Sequence, residues 1–340
     1  MKVGILNGGG DCAGLNSVTR GVLRGAEEFG IAVVGIRNGW AGLLEPDASE
    51  ISYGDFEDLG GTGGTVLGTS RTNPAKRKDG IATVRRNIGV LGIDALIAVG
   101  GDDTLGVASE LSKAGENVIG VPKTIDNDLA GTDYSFGFFT AVDEAMRMIE
   151  SLKTTGRSHN RVMVVEVMGR DPGWISSYAG IAAGANFIII PEFQADIDEI
   201  ARTVVQRHLK GKGSTIVVAE GVKFASRGVS EKDEFGHELI AKAQGESNAS
   251  YLARLIEEKT GLETRATVLG HTIRGTPPDA YDRVMTSLLG LRAIDAARGG
   301  RFGIMVAVRG TEIVEVPLSE GVRKKYVDAA RWDSFRRFFV

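Results

Sequence analysis

Residues 122–128 read PKTIDND and residues 100–104 read GGDDT, and these two stretches together indicate both the fold and the chemistry. Each follows a short apolar run, 117–121 and 94–99, that is typical of a buried strand. Open α/β sheets bind their ligands where parallel strands end. The GGDDT loop offers backbone amides and a carboxylate, which suit a phosphate and its metal. The PKTIDND loop offers a cation, a hydroxyl and two carboxylates, which suit an acceptor alcohol. The two loops predict a phosphoryl-transfer site.

The composition is that of a soluble globular protein, with 340 residues of which 42% are hydrophobic and 25% charged. This length exceeds one ordinary core, so two domains are expected. The net charge of −4 gives no reason to expect nucleic acid or an anionic membrane as a partner.

Cys12 is the only cysteine, which excludes an internal disulfide and a cysteine-rich zinc site. No apolar run approaches the ~20 residues that span a bilayer. The first glycine-rich turn comes too early for a signal peptide. We therefore expect a cytoplasmic protein without a membrane partner.

Short, β-branched and continuously apolar runs alternate with helical stretches, as in parallel sheets covered on both faces. The predicted strands are 2–6, 31–36, 94–99, 117–121, 161–167, 187–190, 215–219 and 303–308. One helical stretch carries an apolar stripe from Ala141 to Leu152, with Thr140 and Asp143 spaced as in a capping box. A second helix is expected over 247–259, after a polar surface excursion over 225–246. The pattern predicts an α/β fold.

Two glycine-rich turns could bring backbone amides close to a phosphate. The first, NGGGDCAGLN at 7–16, follows the first strand, and the second, GGTGGT at 60–65, leads towards Arg71. An ordinary strand-to-helix turn explains the first equally well, and a solvated side chain explains Arg71 alone. The first turn has neither the Walker lysine spacing nor the Gly-x-Gly-x-x-Gly pattern of dinucleotide folds. A P-loop enzyme is therefore excluded, and a Rossmann dehydrogenase is disfavoured.

Seven motifs in one order resemble those of the phosphofructokinases over nearly the whole chain. They are GGGDCAGLN, GGTVLGTSRTNP, GGDDTLG, PKTIDNDLAGTDYSFGF, EVMGR, AEG and TVLGHTIRG. The chain most resembles the bacterial group that contains pyrophosphate-using members. The resemblance implies two stacked Rossmann-like α/β domains with mainly parallel sheets and the active site in the cleft between them. Residues 1–136 and 273–323 would bind donor and magnesium, and residues 137–272 and 324–340 would bind the sugar phosphate.

The reaction that this resemblance implies is transfer of a phosphoryl group to the 1-hydroxyl of fructose 6-phosphate. Asp126 would be the catalytic base, which agrees with the need of a weakly nucleophilic alcohol for a positioned carboxylate. Thr124 would hydrogen-bond the transferring group, and Asp128 would shape the acceptor site. Asp102 would hold Mg²⁺, an ion that keeps much of its hydration and accepts a single carboxylate. The resemblance assigns the donor to Gly10, Arg71, Gly101, Asp103 and Thr104, and catalysis to Asp126, Thr124, Arg170 and Lys123.

The sugar-phosphate side is equally complete by resemblance. The implied contacts are Thr124, Asp126, Asp128, Arg161, Met168, Gly169, Arg170, Glu220, Arg265, His271 and Arg274. Arginine forks suit a terminal phosphate. The resemblance further implies that Arg161 and Arg265 reach in from a neighbouring subunit, so a homodimer or homotetramer is expected. Taken without the family, His271 fits a surface or packing residue better than a ligand.

Two segments depart from the family pattern near the sugar. Asp171 and Pro172 follow MGR where an aromatic or histidine is usual, and Ile273 and Thr276 replace a glutamine and a glycine after His271. These changes do not alter the expected reaction type, but they leave the identity of the acceptor open. A longer sugar phosphate such as sedoheptulose 7-phosphate is therefore an alternative to fructose 6-phosphate.

The choice of donor depends on Asp103 and Lys123, since both positions are usually glycine in ATP-using relatives. The Asp103 carboxylate would repel a nucleotide α-phosphate, and Lys123 could neutralise pyrophosphate in the transition state. The pair favours pyrophosphate over ATP, although some ATP-using relatives also carry an acidic residue with lysine. A catalytically retired sugar-phosphate sensor is the alternative of another class, and the intact Asp126, Asp102, Thr124 and Arg170 argue against it. Arg20 and Arg24 match effector positions but fit a solvated helix face.

Overall fold

The computed structural model describes residues 1–224 and 246–339, so nearly all of the surface excursion expected over 225–246 lies outside the described residues. The strands are β1 Lys2–Asn7, β2 Ala32–Ile36, β3 Ala48–Ile51, β4 Ala95–Gly100, β5 Val118–Pro122, β6 Val162–Val167, β7 Phe187–Ile189, β8 Ser214–Ala219, β9 Thr264–Val268, β10 Ile304–Arg309 and β11 Glu312–Pro317. The helices are α1 Leu15–Glu28, α2 Ala41–Leu44, α3 Gly80–Val90, α4 Asp102–Lys113, α5 Phe138–Ser158, α6 Trp174–Ala182, α7 Ile197–Leu209, α8 Asn248–Thr260, α9 Ala280–Arg298, α10 Leu318–Gly321 and α11 Ala329–Arg336.

The chain forms two compact units. The larger comprises Met1–Ala141 and Arg274–Lys325, and the smaller comprises Val142–Ile273 and Tyr326–Val340. Each unit has a Rossmann-like arrangement of helices around a sheet, so the predicted α/β fold class is confirmed. The binding roles assigned to the two domains stay predictions.

The larger unit is built on a seven-stranded sheet in the order β11-β10-β5-β4-β1-β2-β3. The five inner strands run parallel, and β3 and β11 pair antiparallel at the two edges. Burial on both faces explains the unbroken apolar runs of β4 and β5, in which every residue is buried. The order β5-β4-β1 brings three neighbouring strand ends, and the loops that follow them, to one edge.

The smaller unit is built on four parallel strands in the order β7-β8-β6-β9. Its two central strands are fully buried, and their apolar side chains form a core with α7 and α8. The outer strand β9 is largely exposed after its first residue. Met168 and Glu220 therefore follow adjacent strands at the same end of this sheet.

All eight predicted strands are present, but β3, β9 and β11 were missed. Each of these is an edge strand that mixes polar and apolar residues, so it lacks the continuous apolar run of an inner strand. The helix expected over 247–259 is confirmed as α8.

The predicted capping box of α5 is wrong. The helix begins at Phe138, so Thr140 lies inside its first turn, and the cap comes from the Asp282 side chain of α9. Asp282 accepts bonds from the amides of Gly137 and Thr140 at 3.0 Å and from the Thr140 hydroxyl. A carboxylate that is distant in sequence thus replaces the local one at this positively polarised helix end.

None of the helices in residues 1–224 and 246–339 combines the length and the apolar character needed to cross a membrane.

Candidate active site

Three loops meet at the carboxyl edge of the larger sheet, because β1, β4 and β5 are neighbours. The Gly8 amide donates to the Val99 carbonyl at 2.9 Å, and the Lys123 amide donates to the Gly100 carbonyl at 2.9 Å. The glycine-rich turn, the GGDDT loop and the PKTIDND loop are therefore joined by backbone hydrogen bonds. The structure brings together most of the residues that the sequence predicted for donor binding and catalysis.

Thr104, in the GGDDT loop, packs against the glycine-rich turn. Its buried side chain fills the space beside Gly8 and Gly100, where any side chain on either glycine would overlap it. Gly101 precedes α4 and provides no side-chain cap, and Asp102 and Asp103 lie in the first turn of this helix. This helix start is suited to an anion.

Lys123 lies under the glycine-rich turn. It is buried, and its ammonium donates to the Gly10 carbonyl at 2.5 Å. Burial lowers the pKa of Lys123, since the charged form has lost its water, and the nearby cation of Arg274 lowers it further. Burial raises the pKa of the adjacent Cys12 thiol to about 12. The site therefore holds a partly desolvated cation against the turn that would receive phosphate.

Arg274 lies on the other side of the same turn. Its Nη1 donates to the Asp11 carbonyl at 2.9 Å, and a side chain at Gly10 would overlap its guanidinium. The sequence grouped Arg274 with the sugar-phosphate contacts. The structure places it within the larger unit, beside the glycine-rich turn.

Asp102 and Asp128 share one cation. The ammonium of Lys324 lies 2.9 Å from Oδ2 of each carboxylate. Asp128 is buried, and burial raises its carboxyl pKa while Lys324 opposes the rise. Burial alone would lower the pKa of Lys324, but the same two carboxylates outweigh it and raise that pKa. Sequence reasoning missed Lys324, because nothing in a polar segment 196 residues from Asp128 indicates this contact.

Lys325 holds the turn between the two loop carboxylates. Its ammonium donates to Asn127 Oδ1 at 3.0 Å and to the carbonyls of Thr132 and Asp133. Asn127 adopts a left-handed conformation with φ 51°, and its Oδ1 also accepts the Ser135 amide at 3.1 Å. Left-handed backbone is costly for most side chains, and asparagine tolerates it best. Asn127 therefore lets the loop present Asp126 and Asp128 on either side of a tight turn.

Asp126 is half-buried, and its backbone amide donates to the Thr124 hydroxyl oxygen at 3.1 Å. The Ser135 hydroxyl donates to the Thr124 carbonyl at 2.7 Å, which fixes the start of the loop. The predicted base thus lies in a loop braced at both ends.

Asp103 is held at the start of α4. Asn73 Nδ2 donates to its Oδ1 at 3.2 Å, and the Lys76 ammonium lies 3.9 Å from the same oxygen. Both residues belong to the segment that follows Arg71, which is itself exposed. Asn73 and Lys76 were not predicted as site residues. The only sequence signal for these two residues is that they come shortly after Arg71 in and beyond the GGTVLGTSRTNP motif.

The larger unit could hold a magnesium ion through few protein ligands. No cluster of three or more metal-ligating side chains exists within residues 1–224 and 246–339. Asp128 Oδ1 is buried and lacks a hydrogen-bond partner among the described atoms. Two carboxylates with one unsatisfied oxygen fit a hydrated ion that takes its other ligands from water and phosphate.

In the smaller unit, Met168, Gly169, Arg170 and Glu220 come together at the carboxyl ends of β6 and β8. The Gly221 amide donates to the Gly169 carbonyl at 3.0 Å, and a side chain on Gly221 would overlap the Arg170 carbonyl. His271 is exposed in the turn that follows β9, the other neighbour of β6.

Arg161 and Arg265 lie elsewhere. Arg161 precedes β6, and Arg265 pairs with Met163 near the start of that strand. Both guanidinium groups contact the Glu263 carboxylate, at 2.8 Å for Arg161. The Arg161 contact lowers the pKa of Glu263. The structure therefore separates these two arginines from Arg170 and His271 along the length of one strand.

The segments that depart from the family pattern are firmly placed. Glu192 accepts the Gly173 amide on both carboxylate oxygens, at 3.0 and 3.1 Å, and also accepts the Val327 amide. Asp171 is exposed beside this anchored turn, whereas Ile273 is buried.

Residues 2–297 match the phosphofructokinase family. The chain is 49% identical, over the full length of both proteins, to a pyrophosphate--fructose 6-phosphate 1-phosphotransferase of Amycolatopsis methanolica. It is 45% identical, again over both full lengths, to an ATP-dependent 6-phosphofructokinase of Mycobacterium tuberculosis.

Among solved structures, a pyrophosphate-dependent phosphofructokinase from Nitrosospira multiformis shares the fold, with a TM-score of 0.84 at 22% identity. This similarity covers 96% of the present chain and 86% of the other. The motif order, the site geometry and these similarities agree, and the chain belongs to the phosphofructokinase family of phosphotransferases.

Proposed function

We propose that this protein transfers a phosphoryl group from pyrophosphate to the 1-hydroxyl of fructose 6-phosphate, giving fructose 1,6-bisphosphate and phosphate. The observation that carries the choice of donor is the placement of Lys123. Its buried ammonium lies on the Gly10 carbonyl, directly beneath the glycine-rich turn. In a low-dielectric position a fixed cation stabilises developing negative charge more strongly than it would in water.

Asp103 supports the same choice. Its carboxylate is fixed by Asn73 at the beginning of α4, where the backbone amides attract anions. Pyrophosphate needs room for two phosphates, whereas a nucleotide brings a third phosphate and a sugar. A fixed negative charge beside that third phosphate opposes ATP. Lys76, 3.9 Å away, compensates this charge only in part, since the side chains of both residues are about half exposed.

The chemistry assigned to the loop is general-base catalysis by Asp126. The acceptor oxygen attacks the terminal phosphorus, its proton passes to the Asp126 carboxylate, and the bond to the leaving phosphate breaks. By resemblance to the family, Thr124 would hydrogen-bond the transferring group, and Arg170 would contact the sugar phosphate. Asp102 would hold Mg²⁺ through water, and the ion would supply positive charge at the phosphate oxygens.

We also propose a homo-oligomer, at least a dimer. Arg161 and Arg170 flank β6 at opposite ends, and a strand rises about 3.3 Å per residue, so roughly 20 Å separates them. One sugar phosphate cannot use both groups from the same chain. If Arg161 and Arg265 contact substrate at all, they contact it in a neighbouring subunit. A cytoplasmic location fits the small-molecule substrates.

Product formation tests this function directly. Formation of the sugar bisphosphate is measured with magnesium and either pyrophosphate or ATP, first with fructose 6-phosphate and then with sedoheptulose 7-phosphate as the alternative acceptor. We expect turnover with pyrophosphate and fructose 6-phosphate. Binding of fructose 6-phosphate without turnover from either donor would identify a sensor. A preference for sedoheptulose 7-phosphate would overturn the acceptor assignment alone.

A further inference from the structure

Lys324 has no role in the function proposed above, yet its position is built into the fold. Leu129 and Lys324 form an antiparallel bridge immediately after the PKTIDND loop. The Ala130 amide donates to the Arg323 carbonyl at 2.7 Å, and the Lys325 amide donates to the Asp128 carbonyl at 2.8 Å. Backbone pairing on both sides therefore fixes where the Lys324 side chain starts.

The ammonium of Lys324 lies where a metal ion shared by Asp102 and Asp128 would have to lie. It contacts Oδ2 of both carboxylates at 2.9 Å. Only 7% of the Asp128 side chain is exposed. Two carboxylates this close repel one another unless a cation lies between them. The buried and unpartnered Oδ1 of Asp128 shows that the protein leaves ligand capacity at this point.

We propose that Lys324 is a positioning residue that acts as a built-in counter-cation. It keeps Asp102 and Asp128 from capturing a free divalent ion, so that the metal enters only together with the phosphoryl donor. The inference rests on the proposed function for the identity of metal and donor. A third of the Lys324 side chain is exposed, which leaves it room to release Asp102 when the metal–donor complex arrives.

The free-energy cost of leaving the two carboxylates without a cation explains why the Lys324 ammonium lies between them. Without a cation, a buried carboxylate beside a second one is strongly destabilised. With a resident divalent ion, the site would instead carry a metal that must be stripped or reoriented when pyrophosphate binds. An ammonium satisfies the carboxylates at neutral pH and binds them less tightly than a divalent ion would.

The test measures binding of Mn²⁺, which carboxylates accept as they do Mg²⁺, to the donor-free protein by electron paramagnetic resonance. Lys324→Met is expected to bind one Mn²⁺ at least tenfold more tightly than wild type, and the double variant Lys324→Met/Asp102→Asn is expected to lose this gain. Lys325→Met is the matched control: it removes the adjacent ammonium, which donates to Asn127 and two backbone carbonyls, and should gain no such site. Equal affinities in wild type and Lys324→Met would overturn the proposal.

A second measurement does not depend on Lys324→Met folding. Thermal unfolding of wild type and Asp102→Asn is followed with Mn²⁺, with and without pyrophosphate. Ligands that bind only the native state raise the Tm. We expect no difference between the two proteins in their Mn²⁺ shift without pyrophosphate, and a larger shift for wild type with it. A donor-free Mn²⁺ shift that Asp102→Asn abolishes would contradict the proposal. Neither measurement needs turnover, so a failure here is distinguishable from a failure of the proposed reaction.

Discussion

The two units treat their predicted ligand-binding groups differently. In the larger unit, three charged groups of the predicted transfer site have hydrogen-bond partners within that unit: Lys123 donates to the Gly10 carbonyl, Asp103 accepts from Asn73, and Asp128 accepts from Lys324. In the smaller unit, Arg161 and Arg265 converge on Glu263 at the opposite end of the sheet from Arg170. The groups predicted for donor binding are thus held by neighbours in their own unit, whereas the arginines predicted for the sugar phosphate in the smaller unit lie at opposite ends of its sheet.

The predicted sites of the two units therefore depend on electrostatic interactions of different strength. Buried, partnered charges in a low dielectric act strongly and are sensitive to removal of one partner. Partly exposed ion pairs such as Arg161–Glu263 contribute little to stability by themselves. Substitutions in the larger unit should therefore affect the rate of chemistry, and those at Arg161 should affect assembly-dependent binding.

The largest effect is expected at Asp126. Asp126→Asn keeps the size of the side chain but removes the base, so kcat should fall at least ~10²-fold with a modest change in the KM for fructose 6-phosphate. Steady-state kinetics measure this. Asp58→Asn, an exposed change in the same unit, is the control and should leave kcat unaltered. A folded Asp126→Asn protein with near-wild-type kcat would remove Asp126 from the role of base.

The next effect is expected at Lys123. Lys123→Met should lower the pyrophosphate-dependent kcat by roughly 10-fold to 100-fold, because a charge contact in the transition state is lost. The exposed Lys113→Met is the matched control. If the Lys123→Met variant keeps the wild-type rate, the cation beneath the glycine-rich turn does not act on the donor.

The pH profile sharpens this prediction. Burial lowers the pKa of Lys123, so its charge is present below that lowered pKa and is lost as the pH rises through it. Wild-type kcat should therefore decline at a pH below the usual range for lysine, and Lys123→Met should lack this decline. Cys12 cannot mimic the effect, because its pKa is raised to about 12. An identical alkaline decline in the variant would assign the titration to another group.

A smaller effect is expected from mixing inactive subunits. Arg161→Ala and Asp126→Asn each disable the chain in a different half, so a hybrid dimer has one site with both residues intact. Equal mixing should restore about a quarter of the wild-type activity in a two-fold dimer. Reassembly after dilution, followed by the coupled assay, measures it. Absence of recovery in verified hybrids, or a fully active monomer by light scattering, would show that Arg161 serves its own chain.

The sequence predicted the inner strands well, because a strand that is buried on both faces has a continuous apolar run, as in β4 and β5. It missed β9 because that edge strand is mostly exposed and its residues are mixed. Among the site residues, Asp102 and Asp126 could be predicted because each lies in a loop that follows a short apolar run typical of a buried strand. Lys324 could not be found in this way, since its contact with Asp128 arises from an antiparallel bridge between segments that are distant in the sequence, which no local pattern encodes. The Asp282 cap of α5 was missed for the same reason.

The ratio of kcat/KM for pyrophosphate to that for ATP, measured on the unaltered protein with magnesium and fructose 6-phosphate, tests the central claim most directly. The fixed carboxylate of Asp103 and the buried cation of Lys123 predict at least a tenfold preference for pyrophosphate, about 1.4 kcal/mol. Asp103→Gly should narrow this ratio by removing the like charge. A tenfold preference for ATP would contradict the account, because Asp103 would then not control the donor site.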